Sequence, residues 1–353
     1  MNINKLTYND VDGYVVLSEF NRYYFTDFHS SFGILIATRE KGYYITDNRY
    51  GEVCKNHFAG TSVEAIIAST GKEAYEIAKN VVFDNNLKTL GFEDVMSVRE
   101  FEELKEYIPV NYVAKGKYFE VLRSVKTDEE VEKIAKIMEI SSKAFEKALG
   151  NFKVGMTEKE LCAALNYQIY NLGADSLAFE TIVASGTNGS KPHAVPSDKK
   201  VEKGEMVTFD FGGRLNGYCA DITRTIAFGK LSEEQEKLYN TVKEGQAIGL
   251  SSVKVGATGG EVDSVVREFF RSKGLDKYFI HSLGHGVGVE IHELPRLSPG
   301  FETVLEENMI VTVEPGLYIP DKYGVRIEDT VCVGKNGIRN LAKISKDLIT
   351  IKA

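Results

Sequence analysis

The sequence predicts an α/β amino-terminal unit followed by a larger α+β unit built from two similar halves. Three observations carry that expectation. Up to about residue 120, short apolar runs of strand type alternate with helical periodicity. At Thr127 a helix-opening signal introduces a different texture. Beyond it, three segments recur in the same order roughly a hundred residues later.

Val15-Val16-Leu17 lies in the first apolar run. Gly33-Ile-Leu-Ile-Ala and Tyr43-Tyr-Ile-Thr flank Arg39-Glu-Lys-Gly42, the pattern of a hairpin with glycine in its turn. Helical patterns follow near 63–80 and 97–107, and Pro109 stops the second. Thr127-x-x-Glu130 is a capping box, in which each side chain satisfies an otherwise unpaired backbone N–H. Behind it Val131, Ile134, Ile137, Met138, Phe145 and Leu149 mark an amphipathic helix. The domain boundary therefore falls between about 115 and 127, giving domains 1–122 and 123–353. Residues 116–126 are not rich in Gly, Pro or Ser, so the link is expected to be ordered.

Lys153-Val-Gly-Met-Thr157-x-x-Glu160 matches Lys254-Val-Gly-Ala-Thr258-x-x-Glu261, 101 residues on. Met206-Val-Thr-Phe-Asp210-Phe-Gly212 matches Ile310-Val-Thr-Val-Glu314-Pro-Gly316 at an offset of 104, and Asp221-Ile-Thr matches Glu328-Asp-Thr at 107. The offset creeps upward as loops lengthen between duplicated units. The period is too long for a solenoid, so two α+β halves facing each other are expected.

The 353 residues carry a formal charge of −8, which disfavours nucleic-acid and anionic-membrane partners, both of which need clustered Lys and Arg. No stretch approaches the roughly 20 apolar residues of a membrane helix, and MNINKLTYND shows no signal-peptide pattern. Cys54, Cys162, Cys219 and Cys332 are scattered without a CxxC, which fits reduced thiols and a cytoplasmic location.

The repeat places carboxylates at equivalent points: Asp210 with Asp221, and Glu314 with Glu328. Each pair is expected on adjacent antiparallel strands, because turn residues lie between its members. Apolar neighbours imply burial, and four buried carboxylates repel unless a cation or protons intervene. Two divalent ions are the economical answer. His281, His285 and His292 fall in one short run, with glycines on both sides of His285. Four carboxylates and one imidazole suit Mn²⁺, Co²⁺ or Fe²⁺ better than a thiolate-type zinc site. Each residue also has an ordinary alternative: Asp210 as a turn residue, His285 as a core histidine, Glu328 as a solvated strand end. Cys219 reads as a small packing residue, and His29 and His57 as structural or surface groups.

At these residues the sequence resembles the metallopeptidases of the pita-bread fold. Asp210-Phe-Gly-Gly, Asp221-Ile-Thr-Arg-Thr, His281 to His292, Val313-Glu-Pro-Gly and Val325-Arg-Ile-Glu-Asp occur in the family order across about 125–353. Asn21-Arg-Tyr-Tyr-Phe-Thr and Thr46-Asp-Asn-Arg49-Tyr50 are similar to the creatinase/prolidase amino-terminal domain. The resemblance implies a pita-bread catalytic domain with an internal pseudo-twofold repeat. It implies Asp210, Asp221, His285, Glu314 and Glu328 as ligands of two divalent ions, Asp221 and Glu328 bridging them. Manganese is the first choice, with cobalt, iron or zinc as alternatives. It also implies a homodimer.

An amino-terminal domain of this kind points to aminopeptidase P or prolidase, enzymes that cleave the bond before proline in small peptides. The resemblance gives Glu314 the proton-transfer role, with His193 and His292 as donors to substrate and oxyanion. His281 would line the proline side of the pocket. Arg326 would offset ligand charge from a second layer, with Arg224 a weaker candidate for the same task. Arg296 is placed to pair with a free carboxylate after proline, a lean toward dipeptides, whereas Thr46 to Tyr50 looks more like aminopeptidase P. The alternatives are a non-hydrolytic peptide- or protein-binding protein, a metal-free creatinase-like hydrolase on the same scaffold, and a nucleotide binder using Gly284-x-Gly286-x-Gly288.

Overall fold

The computed structural model describes residues 1–352, and the chain divides into two compact units, Met1–Arg123 and Ser124–Ala353. The first unit runs β1 (Gly13–Val16), α1 (Glu19–Thr26), β2 (Ile34–Ala37), β3 (Gly42–Asp47), α2 (Gly51–Phe58), β4 (Val63–Ala68) and α3 (Gly71–Asp84). It continues with β5 (Thr89–Phe92), α4 (Val98–Tyr107), β6 (Asn111–Ala114) and α5 (Gly116–Ser124). Its mixed six-stranded sheet has the order β4-β3-β2-β1-β5-β6. The expected hairpin is β2–β3, with Ile36 opposite Tyr43. Ala74, Ala78 and Val82 of α3 and Leu104 of α4 join Val15, Ile36, Ile45 and Leu90 of the sheet in one buried cluster.

The helix expected over 63–80 is a correction. Val63–Ala68 is strand β4, parallel to β3, and the helix begins only at Gly71, capped by Thr70, whose side chain accepts from Glu73 N–H. A short apolar run with β-branched residues does not distinguish strand from helix by periodicity. The segment expected to be an ordered link contains helix α5.

The second unit opens with α6 (Asp128–Leu149) and α7 (Glu158–Asn171), then β7 (Ser176–Leu177), β8 (Ile182–Ser185), β9 (Glu205–Phe211), β10 (Gly213–Leu215), β11 (Tyr218–Cys219) and β12 (Ile222–Phe228). The second half follows with α8 (Glu233–Ser252), α9 (Gly259–Ser272), β13 (Gly284–Gly286), β14 (Glu293–Leu297) and β15 (Ile310–Val313). It ends with β16 (Gly316–Ile319), β17 (Tyr323–Arg326), β18 (Asp329–Gly334), β19 (Gly337–Asn340) and β20 (Thr350–Ile351).

The repeat is visible bond by bond. Capping boxes open α6, α7 and α9 at Thr127, Thr157 and Thr258, and α8 has one at Ser232 that the sequence reading passed over. Gly155 N–H donates to the Val201 carbonyl and Val201 N–H to that of Met156. In the second half Gly256 N–H donates to Leu305 and Leu305 N–H to Ala257. The sheets correspond too: β12-β9-β8 in the first half, edged by β20 from the end of the chain, and β14-β13-β15-β18-β19 in the second.

Aromatic stacking fixes α6 to its sheet, Phe145 on Phe211 with ring centroids 5.1 Å apart. In the second half α8 and α9 bury Val242, Val266 and Phe270 with Val311, Val313 and Val331. The halves meet along β12 and the segment 326–330. Glu328 N–H donates to the Thr223 carbonyl at 3.1 Å, Thr330 Oγ1 to that of Asp221 at 2.7 Å, and Arg326 N–H to Thr225 Oγ1 at 3.1 Å. This seam positions the site.

Candidate active site

Strand pairing brings the four repeated carboxylates together. Asp210 lies on β9 opposite Thr223, one residue into β12, and Asp221 immediately precedes that strand. In the second half Val313 is opposite Asp329, so Glu314 just beyond β15 and Glu328 just before β18 lie at the same level. His285 is central in β13. A Cβ at Gly284 would strike the Thr312 carbonyl and one at Gly286 that of Leu294, so the flanking glycines let the chain run close to both neighbours. No helix follows this strand: it pairs with β14, which removes the phosphate-cradle reading of Gly284-x-Gly286-x-Gly288.

Asp221, His285 and Glu328 each present a ligand atom within 4.8 Å of the others. His285 Nε2 lies 3.3 Å from Glu314 Oε1 and 3.5 Å from Asp221 Oδ2. Its Nδ1–H donates to the Gly286 carbonyl at 3.1 Å, which leaves Nε2 facing the carboxylates. Asp210 is held differently: its Oδ2 accepts from the Arg326 guanidinium at 2.7 Å. Asp210 Oδ1 and Glu328 Oε1 are buried without a hydrogen-bond partner. Buried, unmatched carboxylate oxygens beside an imidazole nitrogen are the donor set a hard divalent cation satisfies, so these residues fit such ions.

The electrostatics agree. Burial, then the neighbouring carboxylates, raise Asp221 and Glu328 well above the usual carboxylate range. Burial also raises Asp210, against the pull of Arg326. Burial would raise Glu314 as well, but the hydrogen bond and charge of His285 hold it down at about 2. Burial pulls His285 down, yet Glu314 outweighs it and the imidazole is raised. His292 is lowered by burial and by His285.

Arg224 aside, nine of the ten site residues that the resemblance implies line one cavity of about 580 Å³: His193, Asp210, Asp221, His281, His285, His292, Arg296, Glu314 and Arg326. Glu328 is the tenth, buried behind them and joined to Asp221 and His285 as above. His281 lines the wall with both nitrogens engaged, Nδ1–H to the Ser282 carbonyl at 2.7 Å and Nε2 with Tyr318 Oη at 3.1 Å. Arg326 is 3% exposed and also reaches Tyr318 Oη at 2.7 Å, Thr223 Oγ1 at 3.1 Å and the Pro192 carbonyl at 3.3 Å. Arg224 touches none of the four repeated carboxylates. It is buried against Asp329 at 2.7 Å and the Glu328 carbonyl, and so braces the backbone.

Several supporting residues escaped the sequence reading. Glu158 is fully buried and accepts from Ser185 N–H and Oγ at 2.7 and 2.8 Å, Asn188 Nδ2 at 2.9 Å, and Ser197 N–H and Oγ at 2.9 and 2.7 Å. It clamps both feet of the loop that carries His193. Asp263 accepts from Leu283 N–H at 3.1 Å and pairs with Arg267, which donates to the Phe279 and His281 carbonyls. Lys126 and Glu293 form a buried ion pair at 2.7 Å beside His292. None of these has a sequence neighbour of complementary charge at a telling spacing, except Asp263 and Arg267, one helical turn apart on α9. Cys219 is buried, and burial pushes its thiol up to about 12, in keeping with a packing role.

The pattern of metallopeptidase family M24 matches residues 132–335, and that of the Creatinase/Prolidase N-terminal domain matches residues 3–125. The chain belongs to metallopeptidase family M24. Among its M24 relatives, the Xaa-Pro dipeptidase of Pyrococcus furiosus is 39% identical over 343 residues, covering 97% of this chain and 96% of the relative. A solved Xaa-Pro dipeptidase from Bacillus anthracis superposes with a TM-score of 0.92 at 37% identity, covering 97% and 95% of the two chains. An X-Pro aminopeptidase from Thermotoga maritima superposes with a TM-score of 0.90 at 35% identity, covering 97% and 98%. The fold is thus the creatinase/prolidase-type domain followed by the pita-bread domain of M24.

Proposed function

We propose that this M24 chain hydrolyses the peptide bond before proline in short Xaa–Pro peptides, using two divalent ions held by Asp210, Asp221, His285, Glu314 and Glu328. The observation that carries the reading is the cavity itself: the carboxylate and imidazole cluster lies in its wall beside three further histidines and two arginines. The names of the relatives above support the choice of bond. The oxygen-rich donor set favours Mn²⁺ first.

When bound, the ions supply Lewis-acid polarisation of the scissile carbonyl and acidify a water molecule. The chain's own groups do the rest. Glu314, ionised at neutral pH, accepts the proton from the attacking water and passes it toward the leaving imino nitrogen. His193 and His292 face the same cavity and donate N–H to the carbonyl oxygen as charge develops there. Neutral His292, lowered in pKa, keeps an N–H without adding a charge. Arg326 holds Asp210 in place through a buried 2.7 Å contact. The Xaa–Pro bond has no N–H, so the wall needs no acceptor for one.

Arg296 on β14 lies opposite His285 in register and lines the cavity. We assign it the free carboxylate of a dipeptide, which keeps the lean toward dipeptides. The test is hydrolysis of Ala-Pro and Ala-Pro-Ala by metal-loaded and chelated protein. Metal-dependent cleavage of Ala-Pro is expected, with Arg296→Ala raising KM for Ala-Pro far more than for Ala-Pro-Ala. Equal effects on both would remove the dipeptide assignment.

A further inference from the structure

The cavity lining holds several charged side chains, and nearly all are spoken for. Asp221 and Glu314 face His285, Asp210 meets Arg326, and Glu293 pairs with Lys126. Among the described lining residues, Glu180 and Arg296 are the charged groups with neither a hydrogen bond nor an ion pair. The proposed function uses Arg296 and leaves Glu180 without a task.

The approach to β8 sets where Glu180 points. Ile182 is directly opposite Asp210 in the β8–β9 register, and both line the cavity. Thr181 turns the other way, buried, with its Oγ1 on Asn166 Oδ1 at 2.6 Å. Alternation returns Glu180 to the cavity side, solvent-exposed at its rim. Two residues of chain cover at most about 6.6 Å, so Glu180 lies within that distance of the level of Asp210 along the wall. The α-ammonium of a substrate is only about 2.5 Å from the scissile carbonyl carbon, as two backbone bonds and their angle dictate. It therefore stays down beside the scissile bond, while Glu180 is exposed at the rim. A lysine or arginine side chain extends about 6 Å or more from its Cα, over bonds of about 1.5 Å each. Phe179 and Ile182 beside Glu180 supply apolar surface for the methylene stem of such a side chain.

We propose that Glu180 is a specificity-determining residue that favours a basic residue before proline and disfavours an acidic one. This rests on the Xaa–Pro reading above. An exposed ion pair of this kind is worth about 1.5- to 5-fold in binding, and repulsion costs a similar factor. The experiment compares kcat/KM of the Mn²⁺-loaded protein on Arg-Pro, Ala-Pro and Glu-Pro, in wild type, Glu180→Gln and Glu180→Lys. Wild type is expected to prefer Arg-Pro over Ala-Pro by about 1.5- to 5-fold and Ala-Pro over Glu-Pro similarly. Glu180→Gln should bring both ratios toward one and Glu180→Lys should invert them. The wild-type ratios should also shrink at high salt, because a rim pair is screened. Ratios unchanged in both variants, or a uniform loss on all three substrates, would overturn the assignment. Cleavage of none of the three by loaded wild-type protein would overturn the Xaa–Pro reading instead.

Discussion

Removing metal should destabilise the second unit by an amount the structure lets one work out. Asp210 Oδ1 and Glu328 Oε1 are buried without a partner. Each unmatched buried polar atom costs about 1–3 kcal/mol, so the pair leaves about 2–6 kcal/mol for bound ions to recover. In a unit of this size a stability change of 1 kcal/mol moves the melting temperature by about 2–4 °C. Loading with Mn²⁺ should therefore raise the transition of residues 124–353 by about 5–20 °C over chelated protein, read by scanning calorimetry. The double variant Asp221→Asn, Glu328→Gln should respond little. pH supplies a second arm. The folded-state pKa values of Asp221 and Glu328 are raised, so the folded metal-free protein binds more protons than the unfolded chain. Its stability is complete below the usual carboxylate range and is lost as pH rises through the raised values. The gap between chelated wild type and the amide variant should widen in that direction. A wild type indifferent to metal, or a variant that gains as much, would show that bound ions do not satisfy these buried oxygens.

Other substitutions test the supporting shell. Arg326→Ala leaves Asp210 without its buried cation and should cost about 3–5 kcal/mol in urea unfolding of the chelated protein, less when metal is loaded. Glu158→Gln puts an amide N–H₂ against donors on both feet of the His193 loop. A misplacement of about 1 Å can cost up to about 100-fold, so kcat/KM on Ala-Pro should fall tenfold or more with metal content unchanged. The loss should not add to that of His193→Ala, and simple additivity would deny the positioning role. Lys126→Met strands Glu293 and should destabilise by about 3–5 kcal/mol, whereas Lys126→Met with Glu293→Leu should recover most of it. Urea midpoints separate these outcomes.

Local, repeated signals were the legible ones. The capping boxes at Thr127, Thr157 and Thr258 work through residues three apart, so they show in the chain itself. The duplicated Asp210 and Glu314 strands are legible for a second reason: the repeat states the pattern twice. Val63–Ala68 was misread because six residues with an apolar bias suit strand or helix equally, and only pairing with β3 decides. Most of the shell around the site could not be read at all. Glu158 meets its partners 27 to 39 residues away, and Lys126 meets Glu293 across 167. Contacts of that kind exist only once the chain has folded, and no local spacing announces them. Arg224 shows the converse: its place in Asp221-Ile-Thr-Arg224 looked like part of the site, but strand alternation aims it at Asp329.

Steady-state hydrolysis of Ala-Pro against Ala-Ala by purified protein, metal-loaded and then chelated, tests metal-dependent Xaa–Pro cleavage most directly. Cleavage of Ala-Pro should disappear on chelation, return with Mn²⁺ and far exceed that of Ala-Ala. Ala-Pro left intact by the fully loaded protein, or cleaved equally well after chelation, would contradict it.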